Sequence, residues 1–257
     1  MRYSGKVTAD GPSDKRDLPL LTIRKACVGA MANNVYLLTC RRTDEQLLID
    51  AADDPARIMS LVGEGTGRLD VIVTTHQHWD HHRALAQVTK STGATTAAGD
   101  ADADALPVIP DRRLVHGDTL TFGDIRLDVI QLRGHTAGSV ALAYDDPEGH
   151  IHIWTGDSLF PGGPGKTAGQ HDFMSLNNDL EERIFGRFGD DSWVYPGHGA
   201  DTTLGGARPP LLEWPERGWE ATPPRPPPGA PPGGTRRDPT LVALWPKAQG
   251  RVPRVSG

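Results

Sequence analysis

Short runs of apolar and β-branched residues, separated by clusters of turn-forming residues, make up most of the chain before residue 200. Such runs predict β-strands. The stronger runs cover residues 20–25, 34–39, 46–50, 71–75, 120–122, 125–132, 140–144, 151–155 and 193–195. The sequence therefore predicts a protein with a high content of β-sheet.

Helical signals are fewer and lie between the groups of strands. A helix is predicted over 55–61, because Asp54 is a suitable N-cap and Pro55 suits the first helical position. Further helices are predicted over 82–90 and 179–188, with a short one near Leu211. Strands and helices do not alternate regularly, so the pattern favours an α+β fold in which two sheets pack face to face with helices outside.

The C-terminal part of the chain has a different composition. Seven of the thirteen residues over 222–234 are proline and three are glycine, which cannot form a packed core. We therefore expect a flexible N-terminus over 1–17, one domain over 18–221 and a mostly disordered tail over 222–257. A ligand for a proline-recognising module is the alternative interpretation of the tail.

Charge and apolar content exclude several partners. The net charge of −6 disfavours binding to nucleic acid. No apolar run is long enough for a membrane span, and the first fourteen residues lack the apolar region of a secretory signal. The two cysteines, Cys27 and Cys40, are too few for a disulfide framework and are expected to be buried free thiols. These observations predict a cytoplasmic protein without a membrane partner.

The segment from His76 to His82 carries five potential metal ligands in seven positions, directly after an apolar run. His76 and His78 project to the same side of an extended segment, so two imidazoles can share one ion. Asp80 and His81 lie where the chain turns toward the predicted helix, so they can reach a second ion. The segment therefore predicts two adjacent metal ions.

Three further candidates lie in glycine-flanked turns that follow predicted strands. They are His135 in RGHTAGS, Asp157 in TGDSLF and His198 in YPGHGA. Loops at strand ends commonly display functional groups, and glycine lets the backbone approach a ligand closely. By contrast, His150 and His152 alternate in GHIHIWT and are expected to share one exposed face of a strand.

The motifs HQHWDH, GHTAGS, TGDS and PGHG, in this order over about residues 20–215, resemble the metallo-β-lactamase superfamily. The resemblance implies a four-layer αββα sandwich with a dinuclear metal site at one edge. It implies that Asp50 in LLIDA is an acid near the site. Matched motif by motif, the first metal would be held by His76, His78 and His135, the second by Asp80, His81 and His198, and Asp157 would bridge them.

Within that superfamily the chain resembles the glyoxalase II branch, which hydrolyses hydroxyacylglutathione thioesters. The resemblance rests on GDSLFPGG, SLNNDLEERIF and VYPGHGADTTLGGARP. The chain departs from the glutathione-using pattern, because the basic residue after the glycine loop is Lys166 and residues 222–257 do not predict a long helical domain. Lys166 is a candidate for binding a substrate carboxylate, and an exposed loop lysine is the alternative interpretation.

The ligand set indicates hydrolysis by two divalent ions, with zinc as the first choice and iron or manganese as alternatives. A metal lowers the pKa of bound water to about 7, so a bridging hydroxide needs no side-chain base. Asp80 and Asp157 are the catalytic carboxylates in this hypothesis. No free general acid remains, which favours a small-molecule thioester, because a thiol with a pKa of about 8.5 leaves easily.

Several alternatives use related residues. A lactonase or other ester hydrolase would have the same ligands, and a persulfide dioxygenase of this fold would hold a single iron. A secreted β-lactamase, a nucleic-acid-processing enzyme and a scaffold protein without metal are disfavoured by the complete ligand set and the negative charge. The chain is expected to act as a monomer or small homo-oligomer.

Overall fold

The computed structural model describes residues 3–208. Within this range the chain forms two β-sheets that face each other, with helices on both outer faces. The helix predicted near Leu211 and the tail predicted over 222–257 lie outside the described residues.

The first sheet has seven strands, which lie side by side in chain order. The first four are antiparallel, and β4 to β7 are parallel. The strands are β1 (Asp14–Asp17), β2 (Leu21–Val28), β3 (Asn33–Cys40), β4 (Gln46–Ile49), β5 (Val71–Thr74), β6 (Thr95–Gly99) and β7 (Arg112–Leu114).

The second sheet has six strands in the order β15-β14-β11-β10-β9-β8. Its pairs are antiparallel except that β14 pairs parallel with β11. The strands are β8 (Thr119–Phe122), β9 (Ile125–Gln131), β10 (Val140–Asp145), β11 (Ile151–Gly156), β14 (Trp193–Pro196) and β15 (Thr202–Thr203). Between β11 and β14 a hairpin is formed by β12 (Leu159–Phe160) and β13 (Gly163–Pro164).

Helices cover the outer face of each sheet. Two of them, α1 (Pro55–Glu64) and α2 (Leu85–Thr92), pack on the first sheet. The second sheet is covered by α3 (Gln170–Leu180), a π-helical turn (Glu181–Phe185) and α4 (Leu204–Ala207). This arrangement confirms the predicted α+β, four-layer αββα sandwich.

The central core fills the space between the two sheets. Leu38 and Val73 of the first sheet are fully buried against Leu127, Leu142 and Trp154 of the second. Complete burial of one such side chain stabilises the fold by about 1.5–3 kcal/mol. Successive side chains along a strand point to opposite faces of the sheet. One face of each sheet therefore packs in this central core, and the other face packs against the helices that cover it.

Residues 3–17 are packed onto the domain, so for these residues the flexible N-terminus predicted over 1–17 is wrong. β1 pairs with β2, and the Tyr3 hydroxyl donates to Asp201 at 2.5 Å. The buried Lys25 ammonium donates to the Gly5 carbonyl at 2.8 Å. The polar sequence of this segment gave no signal for its docking, because its partners are polar groups far away in the chain.

The burial of the two cysteines was predicted correctly, whereas that of His152 was not. Cys27 and Cys40 are buried free thiols, as predicted. His152 is only 1% exposed, so the exposed face predicted for His150 and His152 is wrong. Within residues 3–208, no helix is both long and apolar enough to cross a bilayer.

Candidate metal centre

The candidate ligands meet at one edge of the sandwich, where loops follow the ends of strands from both sheets. The loop after β5 carries the segment from His76 to His81, and the loop after β9 carries His135. Asp157 follows β11 and His198 follows β14. The carboxyl ends of strands are a common place for sites in sheet proteins, because the loops there converge.

His76, His78 and His135 form the first group of donors. Nε2 of His135 lies 2.9 Å from Nδ1 of His78 and 3.2 Å from Nε2 of His76. Three imidazole nitrogens thus point at one small volume. His76 is buried, whereas His78 is exposed, so this group opens to solvent on one side.

Asp80, His81 and His198 form the second group. Nε2 of His81 lies 3.2 Å from Nε2 of His198. Oδ2 of Asp80 lies 3.4 Å from His198 Nε2 and 3.7 Å from His81 Nε2. The short 3-10 helix Trp79–His81 turns Asp80 and His81 away from the strand, as the sequence predicted.

Asp157 lies between the two groups. Its Oδ1 is 3.5 Å from His81 Nε2, and its Oδ2 is 3.5 Å from His198 Nε2 and 3.9 Å from His135 Nε2. Oδ1 of Asp157 is buried and has no hydrogen-bond partner within the described part of the chain. A buried carboxylate oxygen without a donor is costly, and a cation would satisfy it.

Asp50 orients His81 from behind. The Asp50 side chain accepts from Thr75 through both the backbone N–H, at 2.7 Å, and the hydroxyl, at 2.8 Å. The same Oδ2 lies 2.8 Å from His81 Nδ1. With a proton on Nδ1 facing Asp50, His81 presents Nε2 to the centre, as expected for a metal ligand supported by a carboxylate.

Asn33, which the sequence did not single out, supports the second group. Its Nδ2 donates to Asp80 Oδ2 at 3.0 Å and lies 3.3 Å from His198 Nε2. The adjacent Asn34 fixes the loop of His198, because Asn34 Nδ2 donates to the Pro196 carbonyl at 2.8 Å. Two consecutive asparagines at the start of a buried strand were the signal in the sequence.

Asp102 was also missed. It is 1% exposed, and its carboxylate accepts from Gln77 N at 2.9 Å, Gly138 N at 2.7 Å and the Thr136 hydroxyl at 2.5 Å. It lies in a repeated Asp-Ala pattern, DADADA, over residues 100–105. The structure separates it from Asp100 and Asp104, which face solvent.

Position 197 leaves no room for a side chain. A Cβ atom there would lie 2.3 Å from Asp157 Oδ1 and 2.7 Å from His81 Cε1. The backbone of the PGHG motif therefore passes directly against two of the candidate ligands. This close approach explains why a glycine stands immediately before His198.

The electrostatics of the centre keep some donors neutral. Burial lowers the pKa of His76 well below its usual value, and the charges of His81 and His135 add to the effect. Burial also opposes protonation of His81, but the carboxylates Asp50 and Asp157 outweigh it and raise the pKa of His81 to about 10. His76 therefore offers a free lone pair, whereas binding of a cation at His81 would displace a proton.

Lys166 supports the orientation of His135 through its backbone carbonyl. Its carbonyl lies 2.7 Å from His135 Nδ1, which leaves Nε2 of that imidazole facing the centre. The Lys166 side chain is exposed. The structure therefore places the backbone of Lys166 against His135.

The donors fit divalent metal ions. All seven candidates predicted from the sequence are brought together, in two groups linked by Asp157. Imidazole and carboxylate donors suit zinc and also iron or manganese. The unpartnered oxygen of Asp157 and the imidazole nitrogens 2.9–3.2 Å apart are consistent with a site shaped for cations.

Comparisons with known proteins agree with this geometry. The hydroxyacylglutathione hydrolase, cytoplasmic isozyme, of Saccharomyces cerevisiae is 28% identical over 177 residues, which cover 65% of this chain and 63% of the yeast protein. The match thus spans less than two thirds of that relative's length.

Solved structures are similar over most of the described domain. ETHE1 from Myxococcus xanthus aligns with a TM-score of 0.62 and 26% identity, covering 71% of this chain and 80% of the other. The crystal structure of TTHA1623 in a di-iron-bound form aligns with a TM-score of 0.57 and 30% identity, covering 70% and 94% of the two chains.

The family model of the metallo-beta-lactamase superfamily matches residues 28–198, which is more than half of the chain and includes every candidate ligand. Together with the four-layer sandwich and the two linked groups of donors, this match shows that the chain belongs to the metallo-β-lactamase superfamily.

Proposed function

We propose that this chain is a metal-dependent hydrolase that cleaves the thioester bond of a small molecule, as glyoxalase II does. The observation that carries the proposal is the pair of donor groups linked by Asp157. The similarity to hydroxyacylglutathione hydrolases supports the choice of a thioester. Because the match covers only part of those relatives, the proposal names the carrier only as a small thiol.

In this proposal, His76, His78 and His135 hold one divalent ion, Asp80, His81 and His198 hold a second, and Asp157 contacts both. Zinc is the first choice, and the di-iron form of TTHA1623 supports iron as an alternative. When bound, the two ions would supply a hydroxide nucleophile at neutral pH and polarise the substrate carbonyl.

The protein's own side chains set up this chemistry. Asp50 holds the Nδ1 proton of His81, and Asn33 donates to Asp80, so two of the three donors of the second group are held in one orientation. Asp80 and Asp157 are the catalytic carboxylates of the proposal. Fixed donors lower the reorganisation needed when charge develops on the substrate.

The choice of leaving group follows from the lack of a spare acid among the metal donors. The seven imidazoles and carboxylates that the structure brings together at the centre all serve as metal donors in this proposal. None of these seven is then free to protonate a poor leaving group such as an amine. A thiolate, whose conjugate acid has a pKa of about 8.5, leaves without such help.

Lys166 is proposed to bind a carboxylate of the substrate. Lys166 is exposed, and its backbone carbonyl contacts Nδ1 of His135. The same contact means that substitution of the side chain leaves the support of His135 intact. The cytoplasmic location and the monomer or small homo-oligomer expected from the sequence remain predictions.

The test is a substrate panel assayed beside an oxygen electrode. Purified protein, loaded with zinc in one preparation and with ferrous iron in another, is given S-2-hydroxyacyl thioesters, aryl esters, homoserine lactones, β-lactams and a persulfide. Release of acid and free thiol from the thioester, without oxygen uptake, supports the proposal. A preference for lactones would favour a lactonase, and oxygen uptake with the persulfide would replace the hydrolase by an iron dioxygenase.

The role of Asp157 is tested with the variant Asp157→Asn. It keeps the size of the side chain but removes the charge between the two donor groups, so thioester turnover should fall by orders of magnitude. Unchanged turnover in this variant would contradict the role of Asp157.

A further inference from the structure

The buried carboxylate of Asp102 contacts the loop of His76 and His78 at its midpoint. Oδ2 of Asp102 accepts from the backbone N–H of Gln77 at 2.9 Å, and Gln77 lies between the two histidines in the chain. His78 is exposed, so packing alone does not fix its imidazole. The Gln77 hydrogen bond therefore restrains the backbone on which both imidazoles depend.

The same carboxylate contacts the turn that follows His135. The Thr136 hydroxyl donates to Oδ2 of Asp102 at 2.5 Å, and Gly138 N donates to Oδ1 at 2.7 Å. Thr136 is the next residue after His135, so its position sets the direction in which that histidine leaves the backbone. One side chain thus holds two loops that are distant in the sequence.

Two glycines allow the loops to approach this closely. A Cβ atom at Gly138 would lie 2.3 Å from Asp102 N and 2.7 Å from Asp102 Cγ. A Cβ atom at Gly99 would lie 1.9 Å from the Gly138 carbonyl oxygen. The turn after β6 and the turn before β10 are therefore built for direct contact.

The other donor group is held by different residues. Asp50 supports His81, and Asn33 and Asn34 support Asp80 and the loop of His198. None of the hydrogen bonds of Asp102 reaches these residues within the described part of the chain.

We propose that Asp102 is a positioning residue for one half of the centre, the group of His76, His78 and His135. The inference rests on the metal-dependent function proposed above. Asp102 acts through the backbone of two loops and sets the separation of the three imidazoles. Asparagine at this position would set an NH2 donor against a backbone N–H or the Thr136 hydroxyl, so the pair of loops would separate.

The test measures metal binding one site at a time. Wild-type protein and Asp102→Asn are titrated with Zn²⁺ against a chromophoric chelator, which yields two dissociation constants. His135→Ala and His198→Ala identify which binding event belongs to which group. We expect Asp102→Asn to weaken the event that is lost in His135→Ala by about 10–100-fold, as for other residues that support ligands. The event lost in His198→Ala should be unchanged.

The matched control is Asp104→Asn, because Asp104 lies on the same acidic turn but is exposed and pairs with Arg113. It should leave both events unchanged. If Asp102→Asn does not fold, Thr136→Val removes a single hydroxyl and should weaken the same event to a smaller degree. In metal-free protein, the amides of Gln77 and Gly138 should exchange faster in Asp102→Asn, whereas that of Asn34 should not.

The possible outcomes separate the role of Asp102 from the proposed function. Equal weakening of both events, or no weakening in either variant, would overturn the role of Asp102. A wild-type protein that binds no ion would overturn this inference together with the metal-dependent function. A wild-type protein that binds two ions but cleaves no thioester would overturn only the proposed substrate, and the half-site effect of Asp102→Asn would still be measured.

Discussion

Nδ1 of His81 lies 2.8 Å from Oδ2 of Asp50, and both side chains are buried. Asp50 adopts a left-handed backbone conformation with φ of 60°, which asparagine tolerates well. Asp50→Asn therefore tests the carboxylate without adding backbone strain.

We expect Asp50→Asn to lower metal affinity at the His81 group by about 10–100-fold and to lower turnover accordingly. The amide cannot accept from His81 and from both donors of Thr75 at once. Competition with a chelator measures the affinity. Asp53→Asn is the control, because Asp53 pairs with Arg83 at the surface. Equal effects of the two variants would mean that the Asp50 carboxylate has no special role.

Gly197→Ala should inactivate the centre while leaving the fold intact. The added methyl group would lie 2.3 Å from Asp157 Oδ1, so the carboxylate must move. We expect turnover to fall by orders of magnitude, with an unchanged circular dichroism spectrum. Gly169→Ala, where a Cβ meets nothing within 4 Å, should be active. An active Gly197→Ala enzyme would show that Asp157 can shift without loss.

Lys25 should be important for stability. Its side chain is fully buried and lies 2.6 Å from Asp201, and burial lowers the pKa of Lys25 and raises that of Asp201. Lys25→Met leaves the acid without its cation, so we expect a loss of about 3–5 kcal/mol in the free energy of unfolding. Denaturant titration measures this. The double variant with Asp201→Asn should recover part of the loss, and no recovery would show that the two residues are not coupled.

The stability of the protein should depend on pH through His152. Burial lowers the pKa of His152 to about 3, and the charge of Arg16 adds to the effect. In the unfolded chain the imidazole has a pKa of about 6.5, so between these values the unfolded state binds more protons and stability falls as the pH falls.

His152→Asn removes this contribution. The stability of the wild type should fall relative to that of the variant by up to about 1.4 kcal/mol per pH unit below pH 6.5. Urea unfolding at a series of pH values checks the slope. His150→Asn is the control, because His150 is exposed. Parallel curves for the wild type and His152→Asn would contradict the prediction.

Lys166→Ala should raise KM for a thioester that carries a carboxylate and leave kcat nearly unchanged. The Lys166 carbonyl that contacts His135 Nδ1 stays in place in this variant. An uncharged ester of the same substrate should show no such difference in KM. A fall in kcat with constant KM would instead place the lysine at the reacting bond.

The sequence was informative where function depends on local pattern. The run from His76 to His81 places four donors on one strand end and one short turn, so their grouping was visible without a structure. The longer strands were also predicted, because alternating or fully apolar runs mark buried strands.

The missed features depend on distant partners. β1 (Asp14–Asp17) has a polar sequence and is fixed by pairing with β2 and by contacts of residues near it. β6 (Thr95–Gly99) consists of small residues with weak strand preference and is formed by parallel pairing with β5. Asp102 and Asn33 resemble ordinary turn and strand residues until the loops they support are in place.

The distribution of the donors has a consequence for the order of folding. His81 and His198 are 117 positions apart in the chain, and their imidazoles meet only when both sheets have formed. Closing a loop of that length carries an entropic cost that grows slowly with its size, so the contact forms only when surrounding packing supports it. A chain emerging from the ribosome can therefore acquire its second group of donors only after residue 198 has been synthesised and β14 has joined its sheet. Assembly of the complete centre therefore requires strands from both sheets.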